Sequence, residues 1–200
     1  MATWYPLIIN TGSSQIQELP SGQDLNLTGS NISNVAAITV NSGGGTSIVN
    51  GGSNATGNIG SSSSYFNQVF AQATTALYAD LAENYVSDAD YNPGTVVIFG
   101  GTQEITVTTE SADERVAGVI STKPAYLMNS GEAGLPVALR GKVPVMVIGP
   151  VTKGDSLVTS TTPGMAMSVG RDRSYAQAVF AKALETDTNE GVKVIQAVII

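Results

Sequence analysis

Asn92-Pro93-Gly94, then Thr95-Val96-Val97-Ile98-Phe99, then Gly100-Gly101, then Glu104-Ile105-Thr106-Val107-Thr108: these seventeen positions, 92–108, alternate turn residues with short apolar runs. Pro presets the backbone for the first turn position and Gly supplies the left-handed one. The β-branched run is too short for a buried helix and is bounded at both ends by breakers, which predicts a strand. The pattern continues downstream. Arg115-Val116-Ala117-Gly118-Val119-Ile120 is followed by Val137-Ala138-Leu139-Arg140 and by Lys142-Val143-Pro144-Val145-Met146-Val147-Ile148. Lys153-Gly154-Asp155 is a turn leading into Ser156-Leu157-Val158-Thr159, and the chain ends with apolar stretches over Ala176–Leu184 and Val192–Ile200. About eight short strands at regular turn spacing predict an all-β sandwich or barrel over residues 91–200. A short helix fits Tyr175–Leu184 as an alternative, and Arg140-Gly141-Lys142, between two apolar runs, reads as a hairpin turn.

Upstream the texture changes. Residues 1–40 form an arm and residues 41–90 a Gly/Ser-rich segment, either a flexible linker or a fibre shaft ordered by close backbone packing. In the arm, Leu7-Ile8-Ile9-Asn10 and Gln15-Ile16-Gln17-Glu18 are two extended pieces around Thr11-Gly12. Trp4, Tyr5, Pro6, Leu7, Ile8 and Ile9 make a terminal apolar cluster, either a docking peg or a patch that packs on its own domain. Leu25, Leu27 and Ile32 are isolated apolar residues among turn formers, giving thin strands with little core per chain. Three copies around a shared axis would supply what one lacks, which predicts a homotrimer. Phe66, Val69, Phe70 and Leu77 join that candidate interface. Their spacing also fits a helix, but Thr74-Thr75 and the acids Asp80 and Glu83 at its C-terminal end disfavour one, so 65–85 is expected to be extended.

Charge narrows the function. Of 200 residues only 12% are charged, about half the usual share. The net charge is −7; residues 1–114 carry ten acids and no cation, and all nine Lys and Arg lie at or after Arg115. A nucleic-acid backbone needs a basic stripe, so nucleic acid is not an expected partner. With no Cys and no His, thiolate nucleophiles, imidazole bases and imidazole ligands are excluded. Asp80, Glu83, Asp88 and Asp90 do not follow a Ca²⁺-loop spacing and read as a solvated acidic surface. Ser121-Thr122-Lys123 places a hydroxyl and an amine on one strand face, without further support for a nucleophile pair. Paired carboxylates could in principle hydrolyse glycosides, but the acids cluster without a supporting motif. No enzymatic activity, cofactor or metal is expected. No apolar run is long enough to span a bilayer, and Met1–Trp4 lack the cations of a secretory leader.

Longer phrases carry a resemblance. Asn58-Ile59-Gly60-Ser61-Ser62 and Tyr65-Phe66-Asn67 precede Tyr78-Ala79-Asp80-Leu81-Ala82-Glu83-Asn84-Tyr85. These lead to Tyr91-Asn92-Pro93-Gly94-Thr95-Val96-Val97, Arg115–Ser121, Pro124–Asn129 and Val137–Pro144. Over residues 58–168 the series resembles the C-terminal module of tail-fibre-like virion proteins of bacteriophages, especially those infecting cyanobacteria. Leu7–Asn10 with Glu18-Leu19-Pro20-Ser21-Gly22 resembles the same proteins. Pro93–Val97, Ala117-Gly118-Val119, Leu139–Val143 and Lys153-Gly154-Asp155 also resemble the β-tulip domain of capsid decoration (cement) proteins. The resemblance implies a trimeric virion protein assembled in the host cytoplasm, with Trp4–Ile9 attaching it to capsid, tail or baseplate proteins. The alternatives it leaves open are a cement protein on the head shell and a module binding host-surface glycans through Tyr85, Tyr91 or Tyr126.

Overall fold

The structure, a computed structural model, describes residues 7–10, 15–18, 59–61, 63–64, 66–70, 76 and 78–200. The chain divides into two compact units, Met1–Ile59 and Gly60–Ile200. In the first, β1 (Leu7–Asn10) and β2 (Gln15–Glu18) form an antiparallel pair, Leu7 opposite Glu18 and Asn10 opposite Gln15. These are the two extended pieces expected from sequence.

The second unit is all-β. Its strands are β3 (Asp80–Tyr85), β4 (Val96–Phe99), β5 (Ile105–Val107), β6 (Val116–Ile120), β7 (Tyr126–Met128) and β8 (Leu135–Ile148), followed by β9 (Ser156–Thr159), β10 (Ala166–Ser168), β11 (Ala181–Ala183) and β12 (Val192–Ile199). The hydrogen-bonded order is β10-β9-β11-β12-β8-β6-β4-β5, and β10 also meets β8 through Ala166 and Val147. Five strands therefore close on themselves into a barrel (β8, β12, β11, β9, β10), with β6, β4 and β5 continuing outward and β3 lying on β8 with β7 beyond it. Closure pairs the edges that an open sheet would leave unsatisfied.

The barrel wall shows why these residues form these strands. Along β8, Val143, Val145 and Val147 are buried while Lys142, Pro144, Met146 and Ile148 are not; on β12, Ile195, Ala197 and Ile199 face inward. This period of two is the signature of a strand with one covered face. Leu157, Ala166, Phe180, Ala181 and Ala183 complete the core. A smaller cluster on the other side of the sheet holds Val97, Ile105, Ile120 and Val137, with Tyr85, Tyr91 and Leu135 against it. Each fully buried aliphatic side chain stabilises the fold by about 1.5–3 kcal/mol.

One expectation needs correction, and one alternative left open by the sequence is not realised. Arg140-Gly141-Lys142 is not a hairpin turn: it lies inside the fourteen-residue β8, where the strand passes from pairing with β3 to the barrel wall. Gly141 has φ +107°, and a Cβ there would lie 2.3 Å from the Ala79 carbonyl oxygen. The glycine serves a close backbone approach, not a reversal. Tyr175–Leu184 holds no α-helix. A 3₁₀ turn spans Arg173–Tyr175, and β11 follows with Ala181 and Ala183 inward and Lys182 outward. Burial there has the strand period, and tertiary pairing with β9 and β12 decides the conformation. None of the described residues between 66 and 85 is helical, and 80–85 are the strand β3; residues 65, 71–75 and 77 lie outside the described residues.

Candidate functional site

The outward side of β8 and β12 is mostly apolar and only partly covered. Their register sets Ile148 opposite Val192, Met146 opposite Val194, Pro144 opposite Gln196 and Lys142 opposite Val198. Six of these eight side chains are apolar. Val192 and Val194 are 56% and 55% exposed. The run Val143–Ile148 has the near-continuous apolar character of a strand covered on both faces; its inward valines are buried, while Pro144, Met146 and Ile148 on the outer side are half-buried. A contiguous apolar ladder of this kind marks an interaction surface more often than a random exposed valine does.

A second apolar element precedes β3. Phe66, Val69 and Phe70 are exposed on a stretch without regular secondary structure, Phe70 at 92%. Of the other residues expected at a trimer interface, Leu25, Leu27, Ile32 and Leu77 lie outside the described residues. Of the expected attachment residues, Trp4, Tyr5 and Pro6 also lie outside them, while Leu7, Ile8 and Ile9 are in β1.

The acidic segment is not one solvated surface. Asp80 is buried, 5% exposed, and accepts a hydrogen bond of 2.5 Å from the equally buried Ser121 hydroxyl. The proton of Ser121 is thus directed at a carboxylate from β3, away from the exposed Lys123, and the Ser121/Lys123 pairing does not form. A cleft of about 220 Å³ opens over this pair, lined by Tyr78, Lys123, Lys142 and Pro144. Sequence reading missed the burial of Asp80 because its partner is 41 residues away. Two of the other acids, Glu83 and Asp88, are also engaged. Glu83 accepts from Tyr85 Oη at 2.8 Å and from Asn129 at 2.6 Å, and Asp88 accepts from Tyr91. Among the described residues no cluster of three or more acids, His or Cys could hold a metal ion.

These contacts set the ionisation of the tyrosines. Desolvation, and then the hydrogen bond to Glu83 with the charges of Glu83 and Glu104, pushes Tyr85 up to about 12. The Tyr91 hydroxyl holds Asp88 below the usual carboxylate range. Tyr85 also stacks edge-on against Phe99, ring centres 5.5 Å apart. Tyr85 and Tyr91 are therefore half-buried structural residues. Tyr126, 65% exposed, alone of the three expected glycan contacts presents an open ring.

The loop joining β5 to β6 is fastened to the barrel. Asp113 is buried and grips Arg115 through Nε at 2.9 Å and an η nitrogen at 2.8 Å, while its own N–H donates to Thr159 Oγ1. The guanidinium holds Asp113 below the ordinary carboxylate range. Thr159 in turn donates to the Glu110 carbonyl.

The chain matches no protein-family model, and no curated protein matches it. Function must be argued from these surfaces.

Proposed function

We propose that this chain is a non-enzymatic structural protein of a bacteriophage virion, assembling as a homotrimer into a fibre-like appendage. In this reading residues 1–40 are the attachment arm and the five-strand barrel is a β-tulip-like domain that the appendage presents. The observation that carries it is the partly open apolar ladder of β8 and β12, where Val192 and Val194 are exposed. Identical copies that bury it against one another remove from water a face whose composition is that of a core. The exposed Phe66, Val69 and Phe70 and the low charge density point the same way, because like charges near a symmetry axis repel.

Light scattering on the size-exclusion peak tests the assembly. The expected mass is three times the 20.5 kDa of the chain. Val194→Glu, on the exposed side of β12, is expected to give monomer with unchanged circular dichroism. A wild-type monomer at micromolar concentration refutes the reading. Immunogold labelling of phage particles with antibody to residues 91–200 tests the location. Label on tail or baseplate supports the fibre, label over the head makes it a cement protein, and no label removes the virion assignment.

A further inference from the structure

We infer that the concavity between the Arg171–Ala176 turn and β11 binds a tetrahedral oxyanion, phosphate or sulfate, free or carried on a sugar. The concavity has a volume of about 350 Å³ and is lined by Ser156, Arg171, Asp172, Arg173, Val179 and Lys182. Three of the nine cations of an otherwise acidic chain thus border one small space. None of the three is in an ion pair among the described residues, where the pairs belong to Arg115 and Lys193.

Asp172 is the one acidic side chain in a lining that Ile200 also joins, and it leaves the three cations in excess. Asp172 is committed to its own turn, accepting from the Ser174 N–H at 2.9 Å and the Ser174 hydroxyl at 2.8 Å. Those bonds hold it below the ordinary carboxylate range, so it stays charged and engaged.

The walls are fixed by the sheet. Ser156 is 6% exposed, its N–H donates to the Gly170 carbonyl and its own carbonyl accepts from Val169. This ties the cationic loop to β9. Register places Lys182 opposite Ser156, and Lys182 Nζ donates to Ser156 Oγ at 2.8 Å. The ammonium is thus held against the wall of the concavity while its two remaining protons stay available. Arg171 and Arg173 add two guanidinium groups to the same lining; such forks match the oxygen edges of a phosphate or sulfate, and the buried hydroxyl of Ser156 adds a neutral partner. The volume accepts a monosaccharide ester as readily as the bare ion. Neither self-assembly nor a virion location is needed for this site.

The test is an NMR titration of the ¹⁵N-labelled full chain with inorganic phosphate, sulfate and glucose 6-phosphate, ionic strength held constant with chloride. Saturable shifts are expected at the amides of Gly170–Ala176 and Lys182. Lys182→Gln and Arg171→Gln are each expected to weaken binding about tenfold, the loss of one charge-assisted hydrogen bond. Arg140→Gln, a cation outside the concavity, is expected to leave it unchanged. Tighter binding of glucose 6-phosphate than of phosphate identifies a sugar-borne group, and equal binding identifies the free oxyanion. Absence of saturable shifts with all three probes, or equal weakening by Arg140→Gln, overturns the inference.

Discussion

Replacing Gly141 by alanine separates the two meanings that a glycine between apolar runs can have. Gly141 and Gly154 both occupy the left-handed region, at φ +107° and +91°. Moving an L-residue into that region costs about 1–2 kcal/mol at either position. They differ in what the new methyl meets. At Gly154, in the turn before β9, nothing lies within 4 Å; at Gly141 the Ala79 carbonyl oxygen is 2.3 Å away and Asp80 Cα 2.9 Å. Those atoms are backbone, held by the pairing of β3 with β8, and cannot step aside as a side-chain tip would. Overpacking of this kind adds about 1–3 kcal/mol. Gly154→Ala should therefore lose about 1–2 kcal/mol and Gly141→Ala about 2–5 kcal/mol, a large part of the 5–15 kcal/mol typical of a domain. Urea denaturation of the full chain followed by far-ultraviolet circular dichroism reads both. Equal midpoints for the two variants would refute the close crossing and restore the turn reading.

Two further outcomes follow from the loop clasp and the tyrosines. Asp113→Asn is expected to destabilise the fold by about 1.5–3 kcal/mol, as it removes a buried charged hydrogen-bonding partner of Arg115. Because the folded state depresses the Asp113 pKa, its contribution is complete above the unfolded carboxylate value of about 4 and disappears as pH falls through the folded value. A stability–pH curve for the variant should accordingly lose part of its acid limb, and a limb of unchanged height would contradict the clasp. In a spectrophotometric titration, one tyrosine should ionise near 12 while Glu83→Gln brings it down toward the ordinary 10.0. Failure of that substitution to move any tyrosine would show that Glu83 does not act on Tyr85.

The turns were readable because their chemistry is local. Asn92-Pro93-Gly94, Gly100-Gly101 and Lys153-Gly154-Asp155 all carry the residues that reversals require, and the structure places turns at each. Gly141 was misread because a glycine needed for a backbone crossing has the same one-letter signature as one needed for a turn. Ala166-Met167-Ser168 gave no sign that it would close the barrel, since three residues are too few for a period and their pairing with β8 and β9 is entirely tertiary. The candidate surface was half legible. The apolar run over Val143–Ile148 announced a strand, but sequence cannot tell which alternate set its own chain covers. Nor could it couple Asp80 to Ser121, or bring Arg171 and Lys182 to the same hollow, because both depend on strand order.

The union of β3 with β8 has a mechanical meaning. The chain enters the second unit ahead of Asp80, and β3 then lies antiparallel on β8 through Tyr85 and parallel beside β7. Interstrand hydrogen bonds stand across the strand direction. Asp80, where β3 starts, pairs with Gly141, from which β8 runs on into the barrel, so tension arriving through the residues before Asp80 meets the pair at its anchored end and loads one rung at a time. The far half of β8 is barrel wall, hydrogen-bonded to β12 over eight residue pairs. A pull of that kind peels β3 from β8 beginning at the Asp80–Gly141 pair, with the closed cylinder behind it.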